Sequence, residues 1–417
     1  MTNDDILRAA FRVWGRDFYR TTSLNTIALE LGVSKTALYR HFKDKDALLD
    51  AMYAAYMDDC AGFLKNGYDK AIKAEDNREA FRIWTLAIAE YFVRNRDALI
   101  FSLIKVYNSH DTKSFYNEFR SRGIDFMHPV FLKKHAAVYP SRMQLSMATL
   151  IFCVTHFHHD GGELPDVPEE EVKRILSEID GLVSKGLGLD AERVAELDFM
   201  DLEQRAASTL IEETEDNALL RAVAGAVAEA GPWEASMEMV ARRSGLSKSG
   251  LYAHFKSKQD MLTQLFITEL TRIIKFAKIH IETSEVSEEQ LYLAIISIVN
   301  YLRSRPEILI ALDWIKTGRL DLEKEMLGHF YRIIGEIRQE AIQSHNRHLL
   351  VWAAQWILFM IVNTLALWQE NKNPQAKGPG KQNRDTSWAR NAAEIPNESF
   401  RALFRFIALG SEGLNDL

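Results

Sequence analysis

Cysteine is almost absent from this chain: Cys60 and Cys153 are the only two among 417 residues. Two thiols so far apart supply neither a disulfide framework nor Cys-x-x-Cys metal or redox spacing, and they suit a reducing cytoplasm. An excess of positive charge is also missing. With a formal net charge of −7, the surface as a whole is not built to coat nucleic acid or anionic lipid, so any such contact must come from a local patch. The start, Met-Thr-Asn-Asp-Asp, is acidic and leads into Arg8, Arg12 and Arg16, which is not a signal-peptide pattern. Enzyme signatures are lacking too: there is no Gly-x-Ser-x-Gly and no phosphate-cradling glycine loop, so neither catalysis nor a cofactor is expected.

Glycine (21 residues) and proline (9) are scarce, and apolar residues recur at helical rather than alternating spacing, so the chain reads as all-α. The uncharged run Leu349 to Trp368 has about the length of a bilayer span. It carries Gln355, Asn363 and Thr364, however, and is read as a buried bundle helix, with no membrane partner. His156, His158, His159 and Asp160 have helical ligand spacing, but histidines at a helix end also suit the helix dipole, and no metal site is assigned.

What the chain does contain is a repeat. Ser34 to Phe42 reads Ser-Lys-Thr-Ala-Leu-Tyr-Arg-His-Phe, and Ser247 to Phe255 reads Ser-Lys-Ser-Gly-Leu-Tyr-Ala-His-Phe, 213 positions later. The register holds without a gap from Ile6/Leu219 to Leu49/Leu262. It shifts to 210 at Tyr91/Tyr301 and to 228 at Pro168/Pro396, after an inserted segment 371–393 that reads as a mobile loop. The punctuation repeats as well. Thr22 and Ser23 offer a cap for a helix from Leu24 to Leu31, Gly32 a stop, and Ser34 and Asp44 caps for the next two helices. Ser236, Gly245, Ser247 and Ser257 do the same in the second copy, the last with Asp260 as a capping box. Later amphipathic stretches run near 78–93, 97–108, 113–135, 141–159 and 169–185. Domains are accordingly expected at 1–49 (first head), 50–186 (first regulatory domain), 187–216 (acidic linker with one helical stretch, Ala191 to Leu210), 217–262 (second head) and 263–417 (second regulatory domain).

In each head a short glycine-bearing turn joins two helices, the layout of a helix-turn-helix. Val33, Leu38 and Phe42 should face a small core with Ile27, Ala28 and Leu31, which leaves Lys35, Thr36, Tyr39 and Arg40 outward; Lys248, Ser249, Tyr252 and Ala253 are their counterparts. Lysine suits guanine, small hydroxyls suit base edges or phosphate, and a tyrosine ring suits a thymine methyl. Between Leu31 and Lys45, Lys35, Arg40, Lys43 and Lys45 stand against Asp44 alone, and between Arg242 and Lys258 five basic residues meet no acid. These are local positive patches on an acidic protein.

The motif Thr22-Ser23-Leu24-x-x-Ile27-Ala28-x-x-x-Gly32-Val33-Ser34-x-x-x-Leu38-Tyr39-x-His41-Phe42-x-x-Lys45 resembles the DNA-binding domain of TetR/AcrR-family regulators. The resemblance implies a repressor that binds double-stranded operator DNA and a small effector, and whose last two helices make a dimer as a four-helix bundle. It puts base-facing contacts on Lys35, Thr36 and Tyr39 and on Lys248, Ser249 and Tyr252, and phosphate contacts on Thr22, Tyr39 and Lys45 and on Tyr252 and Lys258; Ser34, Arg40, His41, Arg243, Ser247 and His254 beside them complete the candidate DNA-binding residues. For His41 and His254 a packing role at the helix end is equally open. Because family members usually carry one head, this chain is expected to be a monomeric pseudo-dimer reading an imperfect palindrome. An apolar effector would sit among aromatics such as Trp84, Phe101, Tyr107, Phe126, Trp314 and Phe330. The rival reading is a sensor or interaction scaffold in which one head no longer binds DNA.

Overall fold

Helix ends in this chain are fixed by side chains close in sequence, which is why the sequence marks them well. The structure, a computed structural model, describes residues 2–21, 24–102, 112–126, 128, 130, 167–207, 218–315, 347–367 and 395–411. All regular elements among them are helices, and the chain divides into two units, Met1–Val183 and Ser184–Leu417. Thr22, Ser23, Tyr107, Cys153, the stretch 141–159, the histidine cluster, Phe330 and the loop 371–393 lie outside the described residues.

In the first unit, α1 (Asn3–Thr21), α2 (Leu24–Glu30) and α3 (Lys35–Tyr39) form the head. Beyond it come α4 (Lys45–Ala71), α5 (Asn77–Arg94), α6 (Arg96–Ser102), α7 (Thr112–Ser121) and α8 (Glu169–Lys185). Asp44 caps α4 by accepting the Ala47 N–H at 2.7 Å, and Asp76 caps α5 through Glu79 at 2.8 Å. The sequence pattern runs a helix from Lys113 to His135, but α7 stops at Ser121. Gly123 there takes φ +80°, and Ile124 N–H folds back onto the Phe119 carbonyl at 3.0 Å, so the ladder cannot continue. α1 packs on α6, where Phe11 meets Phe101 edge-on with ring centres 5.1 Å apart. α4 crosses α5 closely enough that a methyl on Gly67 would overlap Ala87. About two turns away on α4, the Tyr91 hydroxyl donates to Asp59 at 2.9 Å, and burial of the nearby Cys60 thiol pushes its pKa up to about 12, too high for redox chemistry.

The second unit opens with two helices, α9 (Ala191–Glu196) and α10 (Phe199–Ala207), in place of the single stretch expected from Ala191 to Leu210. Leu197 breaks the run by turning extended, with ψ 128°. The segment does not behave as a free spacer, because its apolar face has a partner. Phe199 is seated edge-on against Tyr292 and Phe404, at 4.8 and 5.8 Å, and Leu202 and Ala206 are buried beside it. Glu203 accepts from the Tyr292 hydroxyl at 2.6 Å and from Arg401 at 2.8 and 3.0 Å; although burial works to raise its pKa, these donors hold it below the ordinary range. At the start of the segment, Leu187 and Leu189 donate backbone N–H to Ile407 and Ala408, at 2.8 and 3.1 Å. Gly186 and Gly410, both at positive φ, lie so close there that neither has room for a side chain.

Then follow α11 (Ala218–Glu234), α12 (Met237–Ser244), α13 (Lys248–Tyr252), α14 (Lys258–Ile281), α15 (Ser287–Ser304), α16 (Pro306–Ile315), α17 (Arg347–Leu367) and α18 (Glu398–Leu409). α10, α14, α17 and α18 all pack on α15, which is buried on nearly every side. In α17, Ala353, Trp356, Ile361 and Leu365 are buried, and none of the described helices is long and apolar enough to cross a membrane. The α14–α15 crossing aligns with that of α4 and α5 but is filled differently. Gly67 becomes His280 and Ala87 becomes Ser297, with His280 Nδ1 lying 3.0 Å from both the Ser297 hydroxyl and the Phe276 carbonyl. The carbonyl can only accept, so the neutral ring carries its proton on Nδ1. Burial lowers the His280 pKa.

Two stability tests follow from this crossing. Gly67→Ala should destabilise the first unit, the overlap costing about 1–3 kcal/mol against roughly 1 kcal/mol of gained helix propensity. Adding Ala87→Gly should restore part of the loss in denaturant melts, and a neutral or stabilising single substitution would contradict the close crossing. His280 takes up its proton at lower pH in the folded unit than the pH of about 6.5 at which it does so once unfolded. Stability of the second unit should therefore fall as pH drops below that value, while His280→Gln should lose this dependence. Melting temperatures of both proteins at pH 7.5 and 5.5 would check it, and parallel shifts would count against it.

Candidate nucleic-acid interface

The two heads share one backbone. Gly32 (φ +64°) and Gly245 (φ +71°) take the left-handed conformation that turns the chain after α2 and α12. Ser34 then accepts the Ala37 N–H at 3.2 Å, and Ser247 accepts the Gly250 N–H at 3.0 Å, each starting the next short helix. Leu38 and Phe42, like Leu251 and Phe255, are buried beneath these helices. The inward anchors leave Tyr39 at 44% and Tyr252 at 49% exposure, unusually high for an aromatic ring. Lys35, Thr36 and Arg40 are exposed beside Tyr39, and Lys248, Ser249 and His254 beside Tyr252. Each head thus presents a lysine, a small hydroxyl and a tyrosine on one edge.

Around this edge the heads differ. In the first, the Lys35 ammonium lies over the Tyr39 ring, 5.5 Å from its centre, and has no carboxylate partner among the described residues. His41 is half-buried, its Nδ1 2.8 Å from the Asn3 side chain, which is a packing arrangement. Lys45 begins α4, and partial burial lowers its pKa. In the second, Lys248 is paired with Glu238 and Arg243 with Glu229. The Lys248 pairing raises the lysine pKa and lowers that of Glu238. Lys258 begins α14 behind Ser257, which accepts the Asp260 N–H at 3.1 Å. The capping box expected there is modified: Asp260 reaches the Lys256 N–H at 2.7 Å instead of that of Ser257.

A second pair shows charge reversal on a common frame. In the first head, Arg12 on α1 approaches Glu30 on α2 at 3.8 Å. In the second, the position of Glu30 holds Arg243, which reaches back to Glu229 on α11, and the position of Arg12 holds Gly225. A side chain at Gly225 would press on the Arg243 guanidinium, so the glycine makes room for the reversed bridge. The acids Glu229 and Glu238 were not picked out by sequence reasoning. A charge count beginning at Arg242 passes over both, although Glu238 standing where the first head has Asn25 was a visible signal.

Of the aromatic residues proposed for an effector site, Trp84, Phe101 and Phe126 all belong to the core of the first unit. Trp84 is buried between Tyr68 and Phe126, with ring centres 5.8 and 5.4 Å away, while Phe101 is buried between Phe11 and Tyr56. Phe126 also meets Phe119 at 5.0 Å. Trp314 belongs to α16, and its side chain lies outside the described residues, as do Tyr107 and Phe330.

The family model for bacterial regulatory proteins of the tetR family matches residues 6–52 and again residues 219–265. The fatty acid metabolism regulator protein of Bacillus subtilis (strain 168) is 24% identical over 160 residues, which are 37% of this chain and 82% of that protein. Among solved structures, the transcriptional regulator FadR from Bacillus subtilis, in complex with stearoyl-CoA, is 19% identical with a TM-score of 0.35, covering 48% of this chain and 99% of its own. The fatty acid degradation regulator FadR from Bacillus halodurans is 17% identical with a TM-score of 0.33, covering 43% of this chain and 96% of its own. With two matched reading heads on one all-helical chain, this is a tandem DNA-binding transcription regulator of the TetR family.

Proposed function

We propose that the chain is a repressor that reads an imperfect palindrome with two unequal heads and is released by an apolar acyl compound. The observation that carries this reading is the doubled Lys-(Thr/Ser)-x-x-Tyr edge, exposed on both heads above buried leucine and phenylalanine anchors. Base-edge contacts fall to Lys35, Thr36 and Tyr39, and to Lys248, Ser249 and Tyr252. Phosphate contacts fall to Thr22, Arg40 and Lys45, and to Arg243 and Lys258. One chain supplies both heads, so the second binding step is intramolecular and needs no association between chains. Half-sites about one helical turn apart, or a multiple of it, fit two such heads. The effector class is supported by the similarity to a regulator of fatty acid metabolism and by the aromatic cluster around Trp84 and Phe126. Release would be a population shift, the effector favouring a head spacing that no longer matches the groove.

A second reading, in which the α11–α13 head serves as an adaptor, draws support from the carboxylates held by Lys248 and Arg243. Fluorescence anisotropy on an operator selected from a random pool separates the two. Tyr39→Ala and Tyr252→Ala should each weaken binding by about 10-fold if both heads read DNA, and Tyr252→Ala should be silent if that head is an adaptor. Saturated acyl compounds of increasing length should release the operator at falling concentrations. Each buried methylene is worth about 0.8 kcal/mol, roughly fourfold in affinity. Release indifferent to chain length would exclude an acyl-chain effector.

A further inference from the structure

We propose that Glu238 is the residue that makes the two half-sites unequal, by competing with DNA for Lys248 and so weakening the second head. The inference rests on the reading that this head contacts DNA. Glu238 sits in the first turn of α12, just behind the Ser236 cap, and reaches across to the first residue of α13. Lys248 is the lysine of the reading edge, so its ammonium is held by a carboxylate at the surface that must face the groove. In the first head the aligned residue is Asn25, without charge, and Lys35 lies over Tyr39 instead.

Two further differences on the same surface act in the same direction. The position of Thr22 is occupied by Ala235, fully buried and without a hydroxyl, and the position of the exposed Arg40 by Ala253. Each removes a group that could attract phosphate, and Glu238 adds one that repels it. The pair itself is exposed, with side-chain accessibilities of 54% and 55%, so it is weak enough to be exchanged. A favourable base edge can draw Lys248 away, whereas a generic stretch of backbone gains little by doing so. The first head, free of this competition, sets the anchor, and the second engages under a handicap in which Glu238 is the competing charge. The hydrogen bond from Lys248 keeps the Glu238 carboxyl below its ordinary pKa, so the competitor stays charged wherever DNA binding is measured.

The test uses the full chain and an operator selected with the wild-type protein. Glu238→Asn, which copies the first head, and the isosteric Glu238→Gln should both tighten binding on the order of 5-fold and steepen the salt dependence by about one freed cation, a slope change of roughly 0.9. Base changes in the second half-site should then cost more than they do in the wild type. Asn25→Glu should produce the opposite changes in the first half-site. Unchanged affinity and slope in both Glu238 variants, with Tyr252→Ala still weakening binding, would overturn the proposal while leaving the second head as a DNA reader. If Tyr252→Ala is silent as well, that head does not reach DNA, and the proposal falls together with the reading beneath it.

Discussion

The left-handed glycine followed by a serine cap is the constraint on which each reading head depends. Gly32 and Gly245 turn the backbone through a region that residues with a Cβ enter only with strain, and Ser34 and Ser247 each accept an N–H from the first turn of the helix that follows. Short helices of five residues have little stability of their own. They hold their orientation because the cap fixes one end and a buried leucine fixes the face. Tyrosine, lysine and hydroxyl are then outward by geometry, with no need for further support. The exposed edge is a consequence of the turn and the anchor together.

On that shared frame the two copies have exchanged the side chains that join their helices. The α1–α2 bridge between Arg12 and Glu30 reappears as Glu229 with Arg243, its charges reversed. A tyrosine on α5 donates to a carboxylate on α4, and one on α15 to a carboxylate on α14, at 2.9 Å from Tyr91 to Asp59 and 2.8 Å from Tyr301 to Glu269, yet the acceptor has moved by about one turn. The position of Asp59 now holds Arg272, which pairs with Glu269 at 2.7 Å. The first-unit rings Phe11 and Phe101 align with Ala224 and Ala311, both buried. In every instance the join survives while its chemistry changes, because a packed interface requires complementary volume and charge and is indifferent to which helix supplies which half.

Much of this was legible in the sequence where the physics is local. Caps, glycine stops and the inward leucines depend on residues within four or five positions, so Ser34, Asp44, Ser236 and Gly245 mark their helix ends correctly. The stop of α7 at Gly123 was also local, but the apolar period continues past it and masks the break. Long-range partners were not legible. Residues 187–216 read as an acidic linker because the sequence does not show that Glu203 is paired with Arg401, nearly two hundred residues away, and Phe199 with Phe404. An acid count sees repulsion where the fold has already supplied the counter-charge. The same blindness hid Glu238: its significance lies in facing Lys248, and that pairing depends on how α12 and α13 cross. Aromatic content likewise marked Phe101 without revealing its edge-on packing with Phe11 in the joint between α1 and α6.

Covalent duplication changes what such local differences mean. In a regulator made of two identical chains, any substitution near the reading edge occurs in both heads, so a carboxylate opposite the lysine would weaken both half-sites at once. In a tandem chain the same carboxylate occurs once. The copy that keeps Asn25, Arg40 and a Lys35 with no carboxylate partner among the described residues can hold the strong half-site, while the other loses attraction for phosphate without loss of the helix-turn-helix itself. The second head also keeps basic residues that the first lacks, with Arg242 in place of Leu29, an apolar side chain that is 80% exposed. Electrostatic attraction is therefore redistributed over the second head instead of simply lost. Divergence of this kind requires that the frame tolerate it, and the frame does, because its glycine turn, serine cap and buried leucine carry none of the charge that was exchanged.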